Sequence, residues 1–110
     1  MITRFAIFEG SVKLGQTAAF REAVQTRLVP LWRQFPGITD VRVMFSEDRD
    51  EGAPEFPLIL AISYPDLAAM EAALEAPARF KSKEVTQEIV GEYFDGRIHH
   101  HVTERHEFFP

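Results

Sequence analysis

The spacing of apolar residues predicts four strands and two helical regions. Between Gln16 and Phe35, apolar side chains recur every three or four positions, which is typical of one face of a helix. Pro30 lies inside this helix and should kink it, because proline has no backbone N–H to donate. Four runs rich in β-branched and aromatic residues predict strands. These strands are Ile2 to Phe8, Ile38 to Phe45, Pro57 to Tyr64 and Arg97 to Phe108.

The second helical region follows the third strand. Asp66 is a good N-cap for a helix that continues to Glu75. Pro77 should interrupt it, and a second helical piece is predicted from Ser82 to Phe94. The order is strand, helix, strand, strand, helix, strand. This order predicts one α+β domain over residues 1–110, ferredoxin-like, with a four-stranded antiparallel sheet and both helices on one face.

The alternation of side chains along the strands predicts which residues face the helices. That set is Phe5, Ile7, Val41, Val43, Leu58, Leu60, Ile98, His100 and Val102. The opposite set contains Ala6, Phe8, Met44, Ile59 and Ala61, which is too apolar for a surface in water. We therefore predict a homodimer in which two helix-free sheet faces meet and form an α+β barrel.

The composition of the chain argues against several classes of function. The chain has no cysteine, so disulfide and thiolate chemistry are excluded. Its formal net charge is −5 and it shows no basic stripe, so we expect no nucleic-acid partner. No apolar run approaches the length of a membrane span, and the strand at Ile2 leaves no room for a signal peptide. These features predict a cytoplasmic protein without a membrane partner.

The four histidines lie close together near the C-terminus, and histidine is the side chain that titrates nearest neutral pH. The strand phase puts His99 and His101 on the barrel face, about 6.5–7 Å apart. We predict them as catalytic residues. The ligand-binding residues predicted beside them, for a small organic ligand, are Arg4, Arg42, Phe8, Met44 and Ile59. Two alternatives stay open: a solvated edge strand, or a reversed phase that makes His100 the barrel residue.

Metal binding is a weaker interpretation of the same segment. His99 and His101 could share zinc, iron or nickel, but a catalytic metal usually needs a third ligand, and none is assignable. The acidic loop from Ser46 to Pro57 suggests calcium, yet Ala53 and Ile59 occupy the positions where an EF-hand needs glycine and glutamate. We therefore predict no metal site.

The sequence resembles the dimeric α+β barrel superfamily. The resemblance rests on the element order, on Pro36-Gly37-Ile38 after the first helix, and on the segment from Tyr64 to Met70 that opens the second. Leu28-Val29-Pro30-Leu31 is similar to the His-x-Pro-Leu segment of EthD-like proteins. Leu28 stands where that family has histidine, and Ala23 and Val24 stand where it often has tyrosines.

The resemblance implies two kinds of function. One is chemistry without an organic cofactor, either oxygenation or isomerisation of a small aromatic or enolic metabolite. In this case a histidine would remove a proton and an arginine would stabilise the anion. The superfamily includes antibiotic-biosynthesis-type monooxygenases, muconolactone isomerases and stress-responsive barrel proteins. The alternative is therefore a non-catalytic binding or stress-associated module. An enclosed cavity with polar and apolar walls would favour the enzyme, whereas a filled interior would favour the module.

Overall fold

The computed structural model describes all 110 residues. Its four strands are β1 (Ile2–Val12), β2 (Asp40–Phe45), β3 (Leu58–Tyr64) and β4 (Phe94–Glu104). Its α-helices are α1 (Thr17–Ala23), α2 (Val29–Trp32), α3 (Leu67–Leu74) and α4 (Pro77–Tyr93). The strands form one antiparallel sheet in the order β2-β3-β1-β4. The predicted βαββαβ fold is confirmed. No helix combines the length and the apolar character that crossing a membrane requires.

Next to Pro30, where the sequence predicted a kink, a π-helical segment, Val24–Leu28, joins α1 to α2. The backbone N–H of Val29 donates to the carbonyl of Val24, five residues back. A π turn widens the helix, and we attribute it to the proline, which cannot donate the hydrogen bond that a regular α-helix needs at its position. The apolar face survives this change, since Val24 and Leu28 are fully buried.

In the second helical region the N-cap agrees with the prediction, whereas the second helix starts earlier than predicted. The carboxylate of Asp66 accepts a hydrogen bond of 2.8 Å from the backbone N–H of Ala69, which caps α3 as expected. Pro77 separates the two helices, but it also begins α4 at the first helical position, five residues before the predicted start at Ser82. Proline suits that position because the N–H that it lacks would be unpaired there.

Strand pairing shows which side chains share a face. Ala6 pairs with Leu60 and Phe8 with Leu58, and all four belong to the core beneath the helices. The predicted phase of β1 is therefore wrong. Arg4, Ala6 and Phe8 lie on the helix side, whereas Phe5 and Ile7 lie on the helix-free face. The phases predicted for the other three strands are correct, because Val43 pairs with Leu60 and His100 pairs with Ala6.

The observed bounds of the edge strand β4 also differ from the predicted ones. It starts at Phe94 and ends at Glu104, so Arg105, His106 and Phe108 lie beyond it. Gly96 lies in β4 opposite Gly10 of β1. A Cβ on Gly10 would lie 2.2 Å from the carbonyl oxygen of Asp95. Two glycines therefore allow the two strands to approach at this point, and the pairing of β1 with β4 continues to Val12.

Candidate functional site

A cavity of about 190 Å³ lies between the sheet and α4. Its apolar wall combines sheet residues with the end of the first helical region: Phe8, Trp32, Phe35, Leu60, Ile62 and Ile98. Phe8, Trp32 and Phe35 are buried and mark the inner end, while Lys83, Gln87 and His100 are exposed and mark the mouth. An unfilled space with polar and apolar walls is typical of a small-molecule site.

Three cationic side chains line this cavity: Arg4 from β1 and Arg79 and Lys83 from α4. None of its fifteen lining residues is aspartate or glutamate, although the whole chain carries a net charge of −5. None of the three cations takes part in the ion pairs of the structure. Partial burial and the nearby Arg79 both lower the pKa of Arg4. The cavity is therefore a locally cationic site in an acidic protein.

Tyr64 adds a neutral hydrogen-bonding group to the same cavity. Only 1% of its surface is exposed. Burial raises the pKa of the phenol, and this outweighs the opposite effect of Arg4 and Arg79. The hydroxyl thus keeps its proton at neutral pH and can donate a hydrogen bond to an anionic group of a ligand.

His100 lies at the mouth of the cavity, on β4 directly beside Ala6. Partial burial of its ring, together with the positive charges of Arg4, Arg79 and Lys83, lowers the pKa of His100 to about 4. The imidazole is therefore neutral at pH 7, and one ring nitrogen is free to accept a proton. The lowered pKa makes this histidine a weak base when no anion is bound, but an anion that forms beside it and beside the cations would favour its protonated form.

The predicted site residues fall on two opposite faces of the sheet. Arg4 and Phe8 line the helix-side cavity, but His99, His101, Arg42, Met44 and Ile59 lie on the helix-free face. The structure therefore does not bring the seven residues together. A shallow groove on the helix-free face includes Arg42 and Met44, and it is open in the single chain.

The two predicted catalytic histidines have different surroundings. Nε2 of His99 lies 2.7 Å from Oε1 of Glu9, and Nε of Arg97 lies 3.5 Å from the same oxygen. The hydrogen bond from His99 is the main cause that lowers the pKa of Glu9. His101 is exposed. His99 is thus already paired with a carboxylate, and the arrangement explains its position without a ligand.

No group of three or more histidine, cysteine, aspartate or glutamate side chains is placed to hold a metal ion. This applies to the histidine strand and to the acidic loop between β2 and β3. Within that loop Arg49 pairs with Glu55 at 3.3 Å and donates to the carbonyl of Ala53 at 3.1 Å. Arg49 and Glu55 are therefore paired with groups of the loop itself.

Sequence reasoning missed the polar side of α4. Its cavity-lining residues occupy positions i, i+3, i+4, i+7 and i+8 of one helix face: Arg79, Ser82, Lys83, Thr86 and Gln87. The adjacent apolar stripe of Val85 and Ile89 packs into the core. A polar stripe beside the apolar one, on a helix that covers a sheet, is the signal that could have identified these residues.

The EthD-like positions are apolar and lie in the core. Leu28, Ala23 and Val24 are all buried, and none of them lines the cavity. The histidine and tyrosines of that family therefore have no polar counterparts at these positions.

The sequence matches no protein-family model and no curated protein. Solved structures, in contrast, match it over nearly its whole length. An EthD (ethyl tert-butyl ether D) family protein from Bacillus halodurans C-125 is 20% identical, with 96% of this chain and 100% of that chain covered and a TM-score of 0.76. SnoaB, described as a cofactor-independent oxygenase from Streptomyces nogalater, is 16% identical over 99% of this chain and 97% of that chain, with a TM-score of 0.65.

A third match is a protein from Jannaschia sp. CCS1 that is described as dimeric, ferredoxin-like and of unknown function. It is 20% identical over 94% of this chain and 98% of that chain, with a TM-score of 0.64. At these identities the likeness concerns the fold. The chain shares its ferredoxin-like α+β fold with these solved structures, as the sequence predicted.

Proposed function

We propose that the protein binds a small organic anion in the cavity between the sheet and α4. The observation that carries this proposal is the set of three unpaired cations, Arg4, Arg79 and Lys83, around a cavity without any carboxylate. Unpaired charges in a partly desolvated space are costly, and a bound anion would compensate them. The apolar remainder of the wall suits a hydrocarbon or aromatic body on the same ligand.

The chemistry that fits this arrangement is proton removal from an aromatic or enolic substrate. His100, neutral at pH 7, would accept the proton, and Arg4 and Arg79 would stabilise the enolate or phenolate that forms. Return of the proton to another atom completes an isomerisation, and reaction of the anion with O₂ begins an oxygenation. Neither route calls for an organic cofactor. The likeness to a fold neighbour described as a cofactor-independent oxygenase supports this proposal.

The alternative is a binding module that uses the same cavity without turnover. It shares the anion site, so binding measurements alone do not separate the two. Turnover, compared between the unmodified protein and His100→Gln, does separate them, because glutamine can still form a hydrogen bond but cannot act as a base near neutral pH. In an enzyme the variant should keep ligand affinity and lose the turnover of the unmodified protein. A binding module should show no turnover in either protein.

We also propose a homodimer through the helix-free sheet face. This face carries Phe5, Ile7, Ile59, Ala61 and Met44, which one subunit leaves without a covering layer. A fold neighbour is described as dimeric, which supports the proposal. In such a dimer His99 and His101 would lie inside the barrel, so a second site there stays a prediction. A cytoplasmic location, inferred from composition, likewise stays a prediction.

Calorimetry with 2-hydroxybenzoate at pH 7.5 tests the anion site, with 2-hydroxybenzamide as the uncharged analogue. The acid should bind at least tenfold more tightly than the amide. Arg79→Gln should weaken binding of the acid about tenfold or more, since a hydrogen bond to a charged group contributes roughly 1.5–3 kcal/mol. Lys83→Gln should have a smaller effect, because Lys83 is exposed at the mouth.

Lys81→Gln is the matched control. It lies on α4, is exposed and pairs with Glu84, but does not line the cavity. It should leave affinity unchanged. Equal affinity for acid and amide, or equal losses in Lys81→Gln and Arg79→Gln, would refute the anion site.

A further inference from the structure

The cavity between the sheet and α4 restricts the size of its ligand, in addition to favouring a negative charge on that ligand. Its volume is about 190 Å³. In another protein, an apolar cavity of about 150 Å³ is sufficient to hold benzene. The space therefore accommodates one six-membered ring with small substituents. A fused two-ring or three-ring body would have to leave its additional rings outside the walls.

The burial of the lining residues gives the ligand a direction. The inner end is formed by the aromatic side chains of Trp32 and Phe35, which are 3% and 5% exposed. Arg4 and Arg79 are half-buried, so they are less accessible to water than Lys83, which is exposed at the mouth. An aromatic ring contributes most binding free energy where water is excluded. An acidic group contributes most beside the two guanidinium groups, with which it forms charge-assisted hydrogen bonds.

We infer that the ligand is a single-ring aromatic or enolic acid whose ring packs against Trp32 and Phe35 and whose acidic group faces Arg4 and Arg79. This inference rests on the proposed anion site and adds the size and orientation of the ligand to it. Two hydroxyl groups of α4 also line the cavity: that of Thr86, and that of Ser82, which donates to the carbonyl of Arg79 and can still accept a hydrogen bond from a ring substituent.

The test compares acids that share one head group and differ in ring number. The probes are 2-hydroxybenzoate and 3-hydroxy-2-naphthoate, measured by calorimetry on the unmodified protein at pH 7.5. The second ring should add no affinity, although its larger apolar area would favour tighter binding in a cavity with room for it. Tighter binding of the naphthoate would overturn the single-ring inference and leave the anion site standing. Failure of both acids to bind would overturn the anion site, and the inference with it.

A pair of variants tests whether the ligand occupies this cavity. Ile98 lines the cavity and is half-buried, so Ile98→Trp should fill the space and weaken binding of 2-hydroxybenzoate at least tenfold. Val102→Trp is the matched control, because Val102 is on the same strand and face but does not line the cavity. It should leave affinity unchanged. Equal affinity in both variants would overturn the inference. If Ile98→Trp does not fold, the ring series on the unmodified protein still decides.

Discussion

Leu28→Ala separates a core position from a functional one. Leu28 is fully buried in the π-helical segment and does not line the cavity. The substitution removes three buried carbons and leaves a void that the packed surroundings can fill only in part. Leucine-to-alanine changes at such sites cost about 2–5 kcal/mol, and complete burial places this one in the upper half of that range. For a chain of this size, about 3.5–5 kcal/mol corresponds to a fall in Tm of roughly 15–20 °C.

Calorimetric melting and binding of 2-hydroxybenzoate, measured on the same samples, test this prediction. Leu28→Ala should melt at a clearly lower temperature and bind the acid with unchanged affinity below its transition. Leu14→Ala is the matched control, because Leu14 is completely exposed and should melt like the unmodified protein. A Leu28→Ala variant with normal melting and lost binding would refute the reasoning. It would place the ligand at the first helical region, where EthD-like proteins have their histidine.

Three further predictions follow from other parts of the molecule. The lowered pKa of His100 means that the unfolded chain binds the proton first, so stability should fall as pH drops from about 6.5 towards 4. This loss should shrink in His100→Gln, and an identical pH profile in both proteins would contradict it. Gly91→Ala in α4 meets no neighbouring atoms and should stabilise the helix by about 0.5–1 kcal/mol, whereas Gly10→Ala should destabilise because its Cβ meets the Asp95 carbonyl. Sedimentation at micromolar concentration should show a dimer that Ile59→Asp dissociates, and a monomeric unmodified protein would refute the proposed interface.

The fold was predictable because the apolar residues of most helices and strands recur at a spacing that only one type of element explains. In β4 the apolar Ile98 and Val102 alternate with polar residues, so the phase of this strand could be assigned from sequence. In β1, by contrast, Phe5, Ala6, Ile7 and Phe8 are consecutive apolar residues, as expected for an inner strand. Such a run contains no alternation, and an error of one residue exchanges the two faces.

The candidate site was harder to predict because it depends on that phase and on a second element. The error in β1 placed Arg4 on the same face as His99 and His101, when it lies with His100 in the helix-side cavity. Arg79 and Lys83 carry no signal in an analysis that follows apolar spacing alone. Their significance appears only when α4 covers the sheet and leaves a space beside it.

The four histidines provide the most direct test of the location of the site. Each gives its own imidazole signal in a proton–carbon NMR spectrum, and single His→Gln variants assign the signals. Addition of 2-hydroxybenzoate at pH 7 should shift the signal of His100 and raise the pKa of its ring, because a nearby anion favours the charged imidazole. The signals of His99 and His101, on the opposite face of the sheet, should stay in place. Shifts of His99 and His101 with an unchanged His100 would contradict a site between the sheet and α4.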